Sequence, residues 1–185
     1  MNITEKIVDQ HSKNENISAG SEVALDVDQI LMVDTSGTMV MLQFEALNIP
    51  RQQADTAVVY CDHQSYQFDF RNTDDHRFLK SAASKYGAWL SRPGNGICHQ
   101  VHTERFASPG ETLLGADSHT PTQGGLGMLA IGAGGLEIST AMADQPYYLQ
   151  MPEVVNVHLE GELPEWVTAK DVILDILRRL SVKVV

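Results

Sequence analysis

Cysteine is scarce in this sequence: Cys61 and Cys98 are the only two among 185 residues. Two thiols are too few for a disulfide scaffold or for an all-cysteine zinc or iron–sulfur site, and the default expectation is a reducing, cytoplasmic setting. Positive charge is also short. Thirteen Lys and Arg stand against twenty-four Asp and Glu, a net charge of −11, which argues against nucleic acid and anionic membranes as partners. A small anionic substrate is still allowed, because a pocket can be locally positive inside an acidic protein. Long apolar runs are missing too. No stretch reaches the roughly 18 residues that a membrane span needs. The opening Met1-Asn2-Ile3-Thr4-Glu5-Lys6 has neither an apolar leader nor an Arg-rich amphipathic pattern. What remains is an ordinary globular composition, 43% hydrophobic and 20% charged, long enough for one domain with a real core.

Helices and short apolar strands alternate along the chain. A short helix is expected around Thr4–His11, followed by a polar stretch, Ser12–Ser21. Val23–Leu31 suits a strand, Gly37–Leu47 a helix that ends before Pro50, and Ala57–Tyr60 a β-branched strand stopping at Cys61-Asp62-His63. The clearest helix spans Thr73–Trp89, capped by Asn72 or Thr73. Its Phe78, Leu79, Ala82, Tyr86, Trp89 and Leu90 recur at helical spacing. Ile97–Val101 reads as a strand or irregular segment, Thr112–Leu114 as a strand, and Ala116–Gly125 as a polar loop. Leu126–Ala143, rich in Gly and Ala, reads as a buried helix; Val154–Leu159 is a strand, and Thr168 opens a last helix with Asp171 as its capping-box partner. This alternation predicts an α/β layered fold with a mostly parallel sheet, in which ligands gather beyond the carboxyl ends of the strands.

Three polar clusters fall just after such runs. Asp62-His63 offers an imidazole that a carboxylate could hold as a general acid, although adjacent residues pair only if the backbone bends there. In His99-Gln100-Val101-His102-Thr103-Glu104, the two histidines would share a face only on a helix, where they could join Glu104 or Asp117 at a metal. Asp117-Ser118-His119-Thr120 packs a carboxylate, a hydroxyl and an imidazole into four residues. It lacks the Gly-x-Ser-x-Gly elbow of a hydrolase triad. Gly132-Ala133-Gly134-Gly135 does not complete a dinucleotide fingerprint, since the sixth place is Glu137. Cys61 and Cys98 read as small apolar fillers beside the site.

Taken in order and spacing, several segments resemble one family. They are Met41-Leu42-Gln43-Phe44-Glu45-Ala46, Cys61-Asp62-His63, Arg92-Pro93-Gly94-Asn95-Gly96-Ile97-Cys98-His99-Gln100-Val101, Pro109-Gly110, Gly115-Ala116-Asp117-Ser118-His119-Thr120-Pro121-Thr122 and Gly124–Gly132. The sequence is similar to the aconitase and isopropylmalate dehydratase superfamily, close to the N-terminal part of bacterial aconitate hydratases. The resemblance covers essentially residues 1–185, while the family's enzymes are several times longer or built from a large and a small subunit.

The resemblance implies a three-layer α/β/α domain, here truncated. The reaction it implies is reversible dehydration of a tricarboxylate or related hydroxy acid, such as citrate to isocitrate by way of cis-aconitate. Asp62 matches the carboxylate that orients His63, and His63 the acid that protonates the departing hydroxide. Asp117 and His99 match a second carboxylate–imidazole pair. Ser118 matches a substrate contact, Asp117 and His119 join it there, and His119 is a further active-site imidazole.

The family's Lewis acid is an iron of a [4Fe-4S] cluster. Its three cysteine ligands have no counterpart in Cys61 or Cys98, so this chain alone is expected to bind neither a cluster nor another metal. The serine base and the clamping arginines are also unmatched. Val33 stands where the family has a substrate-contacting Gln, and Val184-Val185 where it continues with Gly-Gly. Four readings stay open: an aconitate hydratase-like part completed by a companion chain, an isopropylmalate dehydratase or homoaconitase-like large-subunit fragment, a non-catalytic remnant, and a small metal-dependent hydrolase using His99, His102, Asp117 and His119.

Overall fold

Three of the five runs read as strands do contain strands, and those that enter the main sheet lie parallel in it. The computed structural model describes residues 1–14 and 16–181. In chain order the elements are α1 (Ile3–Gln10), β1 (Glu22–Leu25), β2 (Gln29–Val33), α2 (Asp34–Ala46), β3 (Thr56–Tyr60), α3 (Phe70–Tyr86) and β4 (Trp89–Ser91). They continue with α4 (Cys98–Arg105), β5 (Thr112–Gly115), a 3₁₀ segment (Thr120–Leu126), β6 (Leu129–Gly132), α5 (Gly135–Ala141), β7 (Tyr147–Gln150) and α6 (Ala169–Leu180).

The main sheet has the order β4-β3-β2-β5-β6, and all its pairings are parallel. Alternate side chains feed two cores, as the pleat requires. Ile30, Met32, Ala57, Val59 and Leu114 pack with α2, α3 and α5 through Val40, Phe44, Leu79, Tyr86 and Ile138. Leu31, Val33, Val58, Tyr60 and Leu113 pack on the other face with Cys98 and Val101 of α4. Helices therefore cover both faces of a parallel sheet, the expected α/β architecture. Among the described residues no helix is long and apolar enough to cross a membrane.

Several local expectations are corrected. Val23–Leu31 is two strands: β1 pairs antiparallel with β7 in a small separate sheet, and β2 lies at the centre of the main one. The break falls at Asp26-Val27-Asp28, where the Asp28 carboxylate turns aside to accept the Thr112 backbone N–H at 2.7 Å. The third helix starts earlier than predicted, capped by Asp69, and stops at Gly87. Gly87 has φ +80, and a Cβ there would meet the Arg51 guanidinium at 2.6 Å. Trp89 and Leu90 thus belong to β4 despite their helical spacing.

Residues from Cys98 onward form a helix rather than a strand, because the first helical N–H finds a distant carboxylate, that of Asp62. Leu126–Ala143 is not one helix. Gly127 closes the 3₁₀ segment with φ +85, β6 follows, and α5 begins only at Gly135. Val154–Leu159 is exposed and forms no strand with the described residues, so its β-branched residues have no ladder to join there. Thr168 and Asp171 do form the predicted capping box of α6. Val184-Val185 lies outside the described residues.

A candidate active site at the carboxyl edge of the sheet

The chain leaves β2 toward β3 and β4 on one side and returns to β5 and β6 on the other. Such a reversal opens a crevice beyond the carboxyl ends of the two diverging strands. The residues that immediately follow the strands are Asp34 after β2, Asp62 and His63 after β3, and Asp117 to His119 after β5. The five residues predicted as catalytic converge there.

Asp62 sits at the bend that sequence reasoning required. One carboxylate oxygen lies 2.9 Å from His63 Nδ1, and the other accepts the Cys98 N–H at 2.7 Å. Burial works against charge on Asp62, but the Cys98 and His63 hydrogen bonds outweigh it and hold the carboxyl below its usual range. For His63, partial burial disfavours the cation. The Asp62 hydrogen bond and the negative charges of Asp62, Asp34 and Asp117 prevail and raise its pKa. With Nδ1 engaged, His63 Nε2 points across the crevice to Asp117 Oδ2 at 3.7 Å. The ring remains partly open to solvent, 38% exposed, so a reacting group can reach it.

Asp117 gathers the other side. Its Oδ1 lies 2.8 Å from His99 Nε2 and accepts the His119 backbone N–H at 2.7 Å. Burial opposes its charge, and these two bonds together with the nearby imidazoles overcome it, so this carboxyl too is held low. His99 Nδ1 is buried without a partner among the described residues. A proton is far better placed on Nε2, where it is donated to Asp117. The His119 ring is largely exposed, with Nδ1 3.5 Å from the same carboxylate and its centroid 6.0 Å from that of His99. Ser118 is exposed and lines a shallow depression with Asp117, Pro121 and the Gly132-Ala133-Gly134 turn.

His102 does not join this group. Its ring is fully buried, hydrogen-bonded to Tyr60 Oη at 2.9 Å and to Gln29 Oε1 at 2.8 Å. Burial lowers its pKa to about 4. The metal-hydrolase reading therefore loses one of its four residues. The remaining three, His99, Asp117 and His119, bring potential ligand atoms within 4.8 Å of one another, as do Asp62, His63 and Cys98.

Two members of the site escaped sequence reasoning. Asp34 is buried, and its carboxylate accepts the backbone N–H of His63 at 3.2 Å and of Gln64 at 3.0 Å. His76 Nε2 lies 2.9 Å from the same carboxylate. A lone acid between the apolar run Gln29–Val33 and the next helix was the available signal for Asp34. His76, inside an apparently ordinary helix, gave none. Val33 is buried in the apolar layer with Leu31 and Tyr60.

Cys61 and Cys98 are free and buried, as the filler reading expected. Burial, then the charges of Asp34 and Asp62, push the Cys61 thiol up to about 11, and burial with Asp62 raises Cys98 as well. Among the described residues neither shares a group of potential ligand atoms with the other, although Cys98 lies with Asp62 and His63 in one.

Fold and site together define an α/β domain with acid–base pairs at the carboxyl edge of a parallel sheet. The chain belongs to the aconitase family (aconitate hydratase), whose sequence model matches residues 5–185. It is 39% identical to a probable mitochondrial aconitate hydratase of Caenorhabditis elegans, over 99% of this chain and 25% of that protein. Identity to the mitochondrial aconitate hydratase of Schizosaccharomyces pombe is also 39%, over 92% of this chain and 23% of the relative. A 3-isopropylmalate dehydratase large subunit of Archaeoglobus fulgidus is 36% identical over 97% of this chain and 43% of its own length. The chain thus spans about a quarter of the length of the aconitate hydratases it matches.

Proposed function

We propose that this chain is the N-terminal part of an aconitase-type catalytic domain and supplies the proton-handling half of a hydro-lyase site, acting only with further polypeptide. The observation that carries this is the Asp62–His63–Asp117 line. Asp62 fixes Nδ1 of the imidazole, the negative charges of Asp62, Asp34 and Asp117 favour the protonated ring, and Nε2 faces the open crevice. In dehydration of a hydroxy-polycarboxylate the C–O bond breaks and the departing oxygen takes the His63 Nε2 proton to leave as water. A proton leaves the carbon alpha to a carboxylate, and its electron pair forms the new double bond. Asp117, held by His99, Ser118 and His119 line the opposite wall as substrate contacts. The base for the carbon proton and cations for the substrate carboxylates are not supplied by the matched residues.

Family membership brings a [4Fe-4S] cluster, which supplies Lewis acidity when bound. The residues here do not supply its three thiolates: the sequence has two cysteines, and among the described residues no group of potential ligand atoms contains both. On this reading the ligands come from a companion segment or chain. The free, buried thiols also support a reducing compartment such as the cytoplasm.

The substrate by this reading is a tricarboxylate, interconverted as citrate and isocitrate. An isopropylmalate dehydratase or homoaconitase-like large-subunit role is the second reading, supported by the larger share of that relative which the chain covers. A non-catalytic remnant draws support from the buried Val33. The test is anaerobic cluster reconstitution followed by an absorbance scan and an aconitate assay, with and without the polypeptide encoded next to this one. The expected result is neither cluster nor turnover from the chain alone, and turnover on adding a neighbour that carries Cys-x-x-Cys. A stable cluster with turnover from this chain alone overturns the proposal.

A further inference from the structure

Positive charge is rare in this chain, yet three cations border one cavity behind the site. A cavity of about 280 Å³ is lined by Thr73, His76, Arg77 and Lys80 of α3, by Arg92 and Pro93 beyond β4, and by Cys61 and Leu90. Thr73, His76, Arg77 and Lys80 recur at helical spacing, so one face of α3 presents them together. Among the described residues Arg77, Lys80 and Arg92 have no carboxylate partner within 4.0 Å, as is true also of Lys6, Lys13, Arg51, Arg105 and Lys170, but these three are gathered around one cavity. The neighbouring Asp75 is turned away, accepting the Thr38 hydroxyl at 3.0 Å. Three unpaired cations around one hollow repel one another, in a protein whose net charge is −11. An anion between them relieves that repulsion, and guanidinium groups are suited to bind planar or tetrahedral oxyanions through paired N–H donors. The buried Cys61 and the half-buried Leu90 give the cavity an apolar floor beneath these exposed groups.

We infer that this cavity is an accessory binding site for a small polyvalent oxyanion, bearing phosphate or carboxylate groups, distinct from the crevice. It adjoins the crevice through a chain of contacts. His76 lines the cavity, its Nε2 meets the Asp34 carboxylate, and Asp34 holds the backbone of His63 and Gln64. An anion bound beside His76 therefore acts on the residue that sets the His63 turn, and any coupling of the two sites is reciprocal. The inference stands whether or not the crevice is catalytic.

The test is calorimetric titration of the whole chain with inorganic phosphate and, separately, with citrate, at constant ionic strength made up with chloride. The expected result is saturable binding of at least one of them, weakened tenfold or more in the R77Q/K80Q double variant. Both positions are exposed, so that variant is expected to fold, with circular dichroism as the check. Binding of phosphate alone, citrate alone or both supports the site and identifies its chemistry. Absence of saturable binding, or binding unchanged in R77Q/K80Q, overturns it. So does binding abolished by D117N but retained in R77Q/K80Q, which would put the anion in the crevice.

Discussion

Asp62 and Cys98 are 36 residues apart in sequence, yet the Asp62 carboxylate accepts the Cys98 backbone N–H at 2.7 Å. That bond satisfies the first N–H of α4, whose own N-cap residue, Ile97, has no side-chain oxygen. The same carboxylate turns His63 toward the crevice. Placement of α4, and with it of His99, and orientation of the acid are thus set by one side chain.

Replacing Asp62 with alanine removes both functions. The expected loss is about 1–3 kcal/mol of stability, the range for a helix cap plus a charge-assisted hydrogen bond. D62N keeps an oxygen for Cys98 and should recover much of that stability, but its neutral amide no longer favours the His63 cation. Urea unfolding of both variants, with NMR titration of His63, separates the two effects. A D62A protein as stable as the parent would show that α4 needs no such cap.

Two histidines, His63 in the site and His102 in the core, predict opposite responses to pH. His63 has a raised pKa in the fold, so its contribution to stability is complete below the unfolded value of about 6.5 and is lost as pH rises through the raised value. His102 is depressed to about 4, so the fold disfavours its cation, and stability falls as pH drops from about 6.5 toward 4. Asp62 and Asp117, both lowered, add to the loss as pH falls below about 4. Urea midpoints measured from pH 4 to 9 should therefore show H63Q flattening the alkaline limb and leaving the acid limb in place. A change confined to the acid limb would contradict the assignment.

Asp34 is the buried centre of the support beneath His63. D34N can still accept hydrogen bonds through one oxygen, but it loses the charge and one of two acceptor atoms serving His63, Gln64 and His76. A loss of about 2 kcal/mol or more is expected, since charge-assisted bonds contribute about 1.5–3 kcal/mol and buried donors left unpaired cost more. Chemical denaturation measures it, and broadening of the His63 resonance would report the loosened turn. Near-parental stability would mean that the His63 backbone is held by other contacts.

Much of this arrangement was legible because parallel strands deliver their following residues to one edge. Reading Ala57–Tyr60 and Thr112–Leu114 as strands was enough to bring Asp62 and Asp117 together. The illegible parts depended on partners distant in sequence. Nothing near Cys98 marks a helix start, because its cap is Asp62. Nothing near Asp34 marks a site, because its ligands are the N–H groups of residues 63 and 64 and the ring of residue 76. Gly and Ala from Leu126 to Ala143 suggested a buried helix, where the structure has a 3₁₀ segment, β6 and α5; Gly132 instead admits a close approach. What approaches is the Asp117 backbone rather than another helix.

That close approach yields the last prediction. Gly132 ends β6 with an ordinary backbone conformation, so its importance lies in space rather than in φ. A Cβ at this position would lie 2.9 Å from the Asp117 carbonyl oxygen and 3.8 Å from Ser118 Cα. Both are backbone atoms and cannot rotate away. G132A must therefore move the loop that carries Asp117, Ser118 and His119, or open β6 away from β5. Either response should cost about 1–3 kcal/mol, as overpacking does elsewhere. The loop response also has a signature of its own. Shifting Asp117 breaks its 2.8 Å contact with His99 Nε2, and the His99 side-chain N–H should then exchange faster with solvent while β5 and β6 amides stay protected. Hydrogen exchange on G132A distinguishes the two, and unchanged stability with unchanged exchange would show that the β6 turn relaxes without touching the site.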